Sequence, residues 1–263
     1  MARSALMNVM VGAAMKAGRS LVRDFGEVEN LQVSQKGPGD FVSQADKKAE
    51  KIIHDELARA RPGYSFLMEE GGAIEGDDPQ HRWIIDPLDG TTNFLHGIPV
   101  FAISIALERQ GQIVAGLVFN PVMDELYTAE RGGGAFVNDR RIRVAARKDL
   151  HDCVIGTGVP HLGRGDHGQY LRQLAAVMST VSGIRRMGSA ALDLCYVAAG
   201  RLDGFWENGL SPWDIAAGVL IIREAGGFIT DTAGRSDVLT APMVIAGNED
   251  IQGRLRQRLS SAS

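Results

Sequence analysis

Cysteine is scarce: only Cys153 and Cys195 occur in 263 residues, far apart and in no Cys-x-x-Cys pair. That excludes a disulfide framework and a cysteine-type zinc site, and it suits a reducing compartment, so a cytoplasmic location is expected. A basic excess is also missing, since 28 Lys and Arg stand against 32 Asp and Glu for a formal net charge of −4. A general binder of nucleic acid or anionic membrane would carry a clear positive surplus, so neither is expected as a partner. No run of about 18 uncharged apolar residues occurs, which excludes a membrane-spanning helix. The apolar start from Met1 to Met15 is interrupted by Asn8, Lys16 and Arg19, and no small-x-small cleavage site follows it. Fixed-period repeats, low-complexity tracts and linkers are absent too.

What is present is ordinary globular composition, 44% hydrophobic and 23% charged. A chain this long buries roughly three quarters of its unfolded surface and needs no covalent staple. We read a single domain over 1–263, with an N-terminal half of about 1–150 and a C-terminal half of about 151–263. Leu6, Val9, Met10, Ala13, Ala17, Leu21 and Phe25 recur at helical spacing, and Ala49, Ile52, Ile53 and Leu57 mark a second helix. Between the two helices, Lys36 to Asp40 reads as a loop. Trp83 to Ile85 reads as a short buried strand cut off by Pro87. Strands follow over Ala102–Leu107, Ile113–Phe119, Leu126–Ala129 and Ala135–Val137, with Gly132, Gly133 and Gly134 in a turn. The second half alternates. Strands are predicted at 153–155, 184–187, 204–207, 228–230 and 243–246. Helices are predicted on the stripe Tyr170, Leu171, Leu174, Val177, Met178 and Val181, over Ser189–Ala199 stopped at Gly200, and over Trp213–Ala225 stopped at Gly226. Antiparallel strands in the middle with helices on both sides predict a layered α/β or α+β sandwich.

The chemistry concentrates in acidic blocks. In Trp83-Ile84-Ile85-Asp86-Pro87-Leu88-Asp89-Gly90-Thr91-Thr92-Asn93-Phe94, an apolar strand delivers two carboxylates three residues apart and turns through Gly90 into a helix start. Asp86, Asp89 and the Leu88 carbonyl offer hard oxygen ligands, and free N–H groups beyond them suit a phosphate. Carboxylates beside a phosphate repel it unless a divalent cation stands between them. Glu69-Glu70 precedes Gly71-Gly72, and Asp214 lies three residues after Ser211 with Pro212 between, which a capping box explains without any metal. Ser43-x-x-Asp46 has the same helix-start form.

Together, Lys36…Asp40-x-Val42-Ser43-x-x-Asp46, Glu69-Glu70, Asp86 to Phe94 and Trp213-Asp214-x-Ala216-Ala217-Gly218 resemble the inositol monophosphatase family. Arg186 to Leu194 and Asp203 to Glu207 are similar to its bacterial inositol-1-monophosphatase type. The resemblance runs from about Lys36 to Gly227. It implies a five-layer αβαβα sandwich of the sugar-phosphatase type, a homodimer, two to three Mg²⁺ ions (Mn²⁺ as substitute), Li⁺ sensitivity and a small-molecule phosphomonoester substrate. By motif position it implies that Glu69, Asp86 and the Leu88 carbonyl hold one ion, that Asp86, Asp89 and Asp214 hold a second, and that a weaker third sits near Glu69. Thr91 and Asp46 orient the attacking water with Glu69 assisting, while Gly90, Thr91 and Thr92 hold phosphate. Asp89, Gly188, Ser189, Ala190, Glu207 and Asp214 line the substrate side. Two positions depart from the family: Ser43 replaces the usual Thr, and Met68 stands where Gly is usual and reads as packing.

The absence of His and Cys from these blocks favours Mg²⁺ or Mn²⁺ over Zn²⁺. A haloacid-dehalogenase reading fails because that motif spaces its carboxylates two apart, not three. Within the family, Gly188-Ser189-Ala190-Ala191 favours inositol phosphate over histidinol phosphate, whose cationic amine would want an acidic residue after the glycine. Fructose 1,6-bisphosphate would need a second phosphate pocket, for which Arg185-Arg186 are the candidates, and nucleotide 3′-phosphates complete the alternatives. A non-catalytic binding module on the same fold is the rival from another class. Trp83, Trp206 and Trp213 read as packing, His161 and His167 as a solvated loop, and Arg254, Arg256 and Arg258 as the solvated face of a last helix.

Overall fold

A computed structural model describes residues 3–27, 33–37, 40–161 and 165–262, with the side chains of 33–43 excepted. The Lys36, Asp40, Val42 and Ser43 side chains therefore lie outside what is described. Five layers stack in the order helices, sheet, helices, sheet, helices. α1 (Ala5–Phe25) and α2 (Gln44–Ala60) cover one face of an eight-stranded sheet. That sheet runs in the order β10-β9-β8-β7-β6-β5-β3-β4. Its members are β3 (Tyr64–Met68), β4 (Gly72–Ile74), β5 (Asp78–Asp89), β6 (Ala102–Arg109), β7 (Gln112–Asn120), β8 (Glu125–Glu130), β9 (Gly134–Val137) and β10 (Arg140–Arg141). α5 (Ala190–Ala198) and α6 (Pro212–Glu224) form the middle layer. A five-stranded sheet follows in the order β12-β11-β13-β15-β14, from β11 (Val154–Thr157), β12 (Gly183–Arg185), β13 (Gly204–Asn208), β14 (Phe228–Thr230) and β15 (Met243–Gly247). α4 (His167–Met178) and α7 (Glu249–Ser261) close the far side. No described helix is long and apolar enough to cross a membrane.

The near-continuous apolar runs of β5, β6 and β7 arise because both faces of the large sheet are covered. Trp83, Ile85, Ile103, Ile105, Leu117 and Phe119 point to α1 and α2, while Ile84, Ala102, Ala106 and Val118 point to α5 and α6. Residues of opposite parity thus fill two different cores. In the smaller sheet, Phe205, Val244 and Ala246 face the middle layer, while Trp206, Met243 and Ile245 face α4 and α7. Trp83 and Trp206 are fully buried, as their reading as packing anticipated.

Three expectations are corrected. Pro87 does not end its strand: β5 continues to Asp89, and the register against β6 shifts between Asp86 and Asp89. Proline is tolerated at such a bulge, where the ladder does not call on its missing N–H. The stripe on α4 is narrower than predicted, because Leu171 and Met178 are exposed, Val181 lies beyond the helix, and Gln173 takes the buried face with Tyr170 and Val177. Residues one position off a 170/173/177 face are rotated by about 100° away from it. Lys36 and Gly37 belong to β1 (Val33–Gly37), which pairs antiparallel with β2 (Asp40–Ser43), rather than to a loop; the part of the expected loop at Pro38 and Gly39 lies outside the described residues. Cys153 and Cys195 are free and buried, and burial pushes the Cys153 thiol up to about 11.

Candidate active site

The bulge that carries Asp86, Leu88 and Asp89 is the centre of the site. β3 runs parallel to β5 with Met68 opposite Ile85, so the next residue, Glu69, arrives beside Asp86 and donates its N–H to the Ile85 carbonyl at 3.2 Å. Met68 itself is buried in packing, as read from sequence. Asp86 is almost wholly buried, and its Oδ1 accepts from the Leu88 N–H at 2.9 Å. Asp214 comes from the first turn of α6, where its Oδ2 accepts from the Ser211 N–H at 2.7 Å. It therefore caps its helix and also faces the bulge: one carboxylate oxygen from each of Asp86, Asp89 and Asp214 lies within 4.8 Å of the other two. Glu69 is not part of that mutual group, although its charge reaches both Asp86 and Asp89.

Electrostatics at this cluster are unfavourable for bare carboxylates. Burial, followed by the charges of Glu69, Asp89 and Asp214, pushes Asp86 well above the usual carboxylate range. Burial also raises Asp89 to about 6, against hydrogen bonds from Ser189 and Ala191 that lower it. Those bonds run from Ser189 Oγ at 2.6 Å and the Ala191 N–H at 2.7 Å, both to Asp89 Oδ2. Ser189 is the N-cap of α5, so the positive end of that helix is aimed at Asp89.

Two loops meet back to back at the site. Gly90 has φ +98° and Gly188 φ +89°, and a Cβ on Gly90 would lie 3.1 Å from the Gly188 carbonyl. Buried Asn93 ties them together, its Nδ2 donating to Val100 O at 2.7 Å and Met187 O at 2.9 Å. Thr91, the first residue of the short α3 (Thr91–Leu95), has its Oγ1 3.0 Å from Asp46 Oδ1 and 3.1 Å from the Leu88 carbonyl. Asp46 is fully buried in the first turn of α2.

The lining of the resulting cavity of about 180 Å³ includes Asp89, Gly90, Thr91, Thr92, Gly188, Ser189, Ala190, Glu207 and Asp214. Glu207 presses over Gly158, where a Cβ would collide with its carboxylate. Burial, reinforced by the charges of Asp89 and Asp214, raises Glu207 to about 8. Of the predicted site residues, Asp46, Glu69, Asp86 and Leu88 are not in this lining: Asp86 and Leu88 share the bulge with Asp89, Asp46 bonds Thr91, and Glu69 stands outside the mutual carboxylate group.

Several residues at the site went unremarked in the sequence. Glu50 is buried on α2 one turn after Asp46, and its Oε2 accepts from the Glu70 N–H at 2.9 Å, holding the loop that carries Glu69. The available signal was two acids, 46 and 50, falling among the buried positions 45, 49, 53 and 57. Asn93 and Asp193 stood inside quoted motifs without a role. His161 is half-buried on the cavity wall rather than solvated, and its Nδ1 has no partner among the described residues. Of the two arginines, only Arg186 lines the cavity.

An acidic cluster able to hold a metal ion, a hydroxyl–carboxylate pair and two glycine turns thus meet at one cavity, borne on five layers. Comparison with known proteins agrees: the profile of the inositol monophosphatase family matches residues 2–263, and the chain belongs to that family. It is 74% identical over 97% of its length, and 96% of the relative's, to a Mesorhizobium japonicum protein named inositol-1-monophosphatase. It is 41% identical over 98% of both chains to an Escherichia coli protein named Nus factor SuhB. The crystal structure of the extragenic suppressor protein SuhB from Bartonella henselae superimposes with a TM-score of 0.95 at 67% identity, covering 97% of this chain and 98% of that one.

Proposed function

We propose that the chain is a Mg²⁺-dependent phosphomonoesterase that hydrolyses myo-inositol 1-phosphate, or a related polyol or sugar phosphate, by direct attack of water. The meeting of Asp86, Asp89 and Asp214 within 4.8 Å carries this reading. Unit charges at about 4 Å repel by on the order of 4 kcal/mol even at an effective dielectric of 20. Burial has already raised Asp86 and Asp89. A divalent cation relieves both penalties, and a donor set made only of oxygen fits Mg²⁺, or Mn²⁺ as substitute, better than Zn²⁺. Glu69, Asp86 and the Leu88 carbonyl would hold one ion, Asp86, Asp89 and Asp214 a second, and Glu69 a weaker third. Bound there, the ions would supply positive charge to the phosphate and lower the pKa of a water.

The chain's own residues do the positioning. Thr91 has one hydroxyl proton, for which Asp46 Oδ1 and the Leu88 carbonyl compete. Either bond leaves the Thr91 lone pairs free to accept from the attacking water, with Glu69 assisting as a base. The N–H groups of Thr91 and Thr92 open α3 without intrahelical acceptors and, with Gly90, hold the phosphate. Gly188, Ser189, Ala190 and Glu207 contact the hydroxyls of the leaving alcohol. No carboxylate is required as nucleophile, so rapid quench of the working enzyme will trap no acid-stable aspartyl phosphate.

A phosphate-release assay with Mg²⁺ and after chelation tests the reading. Its substrates are inositol 1-phosphate, fructose 1,6-bisphosphate, histidinol phosphate and adenosine 3′,5′-bisphosphate. Inositol 1-phosphate will be preferred, chelation will abolish turnover, and Li⁺ will inhibit it. Release from none of the four would instead favour a non-catalytic module, the reading that the name Nus factor SuhB of one relative prompts. A homodimer in the cytoplasm belongs to the same proposal, and sedimentation at twice the 28.3 kDa chain mass checks its first half.

A further inference from the structure

Asp193 lies in the first turn of α5, four residues past the N-cap Ser189, and is almost wholly buried. Its Oδ1 has no hydrogen-bond partner among the described residues, yet the side chain lines the same cavity as Thr91, Gly188 and Glu207. The oxygen sits against Gly156 of β11, where a Cβ would come within 3.3 Å of it. Burying a carboxylate without a donor costs free energy, and packing alone would favour an apolar residue here. The charges that reach it are those of Glu207 and Asp89, both repulsive, and of Arg186, attractive. Two carboxylates against one guanidinium leave that end of the cavity rich in hydrogen-bond acceptors. An unsatisfied group retained at a ligand pocket is the pattern expected when the ligand supplies the missing partner.

We propose that Asp193 is a specificity-determining residue that, with Glu207, takes the hydroxyls of the leaving alcohol in this cavity. A hydroxyl both donates and accepts, so it pairs with the carboxyl group whether or not that carries a proton, through the part of the side chain that lines the cavity, since Oδ1 packs against Gly156. A substrate without hydroxyls leaves Asp193 unsatisfied and gains nothing from it. This inference rests on the phosphatase reading above.

The test uses the Mg²⁺-loaded full chain and two esters, inositol 1-phosphate and p-nitrophenyl phosphate, whose leaving group has no further hydroxyl. The measured quantity is the ratio of their kcat/KM values. Asp193→Leu, which keeps the branched shape with bulkier methyl groups and removes all hydrogen bonding, will lower that ratio by about tenfold or more, chiefly through KM for inositol 1-phosphate. Asp193→Asn, which keeps part of the hydrogen bonding, will lower it less. Both variants will melt at or above the wild-type temperature, because each removes a buried acid whose Oδ1 has no hydrogen-bond partner among the described residues; a purely structural aspartate would melt lower when replaced. An unchanged ratio, or a lower melting temperature with both esters lost in parallel, overturns the inference while the wild type remains active. If the wild type hydrolyses neither ester, the phosphatase reading fails and this inference falls with it.

Discussion

Individual carboxylates at the site are held by opposing forces. Asp89 is raised by burial against the hydrogen bonds from Ser189 and Ala191 that lower it, and a cation bound there would displace its proton. Asp89→Asn keeps the shape and removes the charge. We expect turnover of inositol 1-phosphate to fall by about a hundredfold or more with an unchanged circular dichroism spectrum; near-normal activity would remove Asp89 from the metal site. Glu50 acts at one remove, through the Glu70 N–H. Glu50→Ala should weaken Mg²⁺ activation about tenfold, read as a rightward shift of the Mg²⁺ titration, with a smaller change at saturating Mg²⁺. If the titration does not move, the Glu69 loop does not depend on Glu50.

At the scale of elements, the site is a meeting of ends: the last residues of β3 and β5 and the first turns of α2, α5 and α6. Helix starts suit it because their N–H groups and dipoles favour the carboxylates that face them. Ser189 serves both purposes, capping α5 through the Leu192 N–H at 3.3 Å and bonding Asp89. Ser189→Ala should therefore cost about 1 kcal/mol of stability in chemical denaturation and also reduce turnover. Loss of stability with full activity would separate the two functions. The Gly132 and Gly134 amides, in the predicted strand turn, hold an anion, namely the carboxylate of Glu224 at 2.7 and 2.8 Å.

Across the whole molecule, polar bridges pin layers that are otherwise joined by apolar contact. Glu125 of β8 receives both Arg201 nitrogens, at 2.9 and 2.5 Å, from the loop after α5, and the Tyr127 hydroxyl at 2.9 Å. Burial raises the Glu125 carboxyl, but the Arg201 and Tyr127 hydrogen bonds outweigh it and leave the group below its ordinary value. A carboxylate depressed in the folded state contributes stability above its unfolded pKa and loses it as pH falls through the folded one. Glu125→Gln should thus cost about 1–2 kcal/mol at pH 7, a deficit that shrinks below pH of about 4. Urea melts of both proteins across pH check this, and a constant difference would refute the linkage.

Local chemistry made much of this legible from sequence. The apolar runs, the glycine stops and the Ser-Pro-x-Asp start of α6 state their elements because backbone propensity and periodicity act over a few residues. Asp86, Asp89, Asp214 and Thr91 could be singled out for the same reason, each lying in a short stretch whose pattern exceeds the needs of a turn. Continuation of β5 through Pro87 was not legible, since it depends on which β6 partners the bulge skips. Glu50 under the Glu69 loop, Asn93 bridging two glycine turns and Asp193 without a donor were equally hidden. Their roles follow from the distance between groups dozens of residues apart, and hydrogen bonding and burial decide that distance only after the five layers have packed.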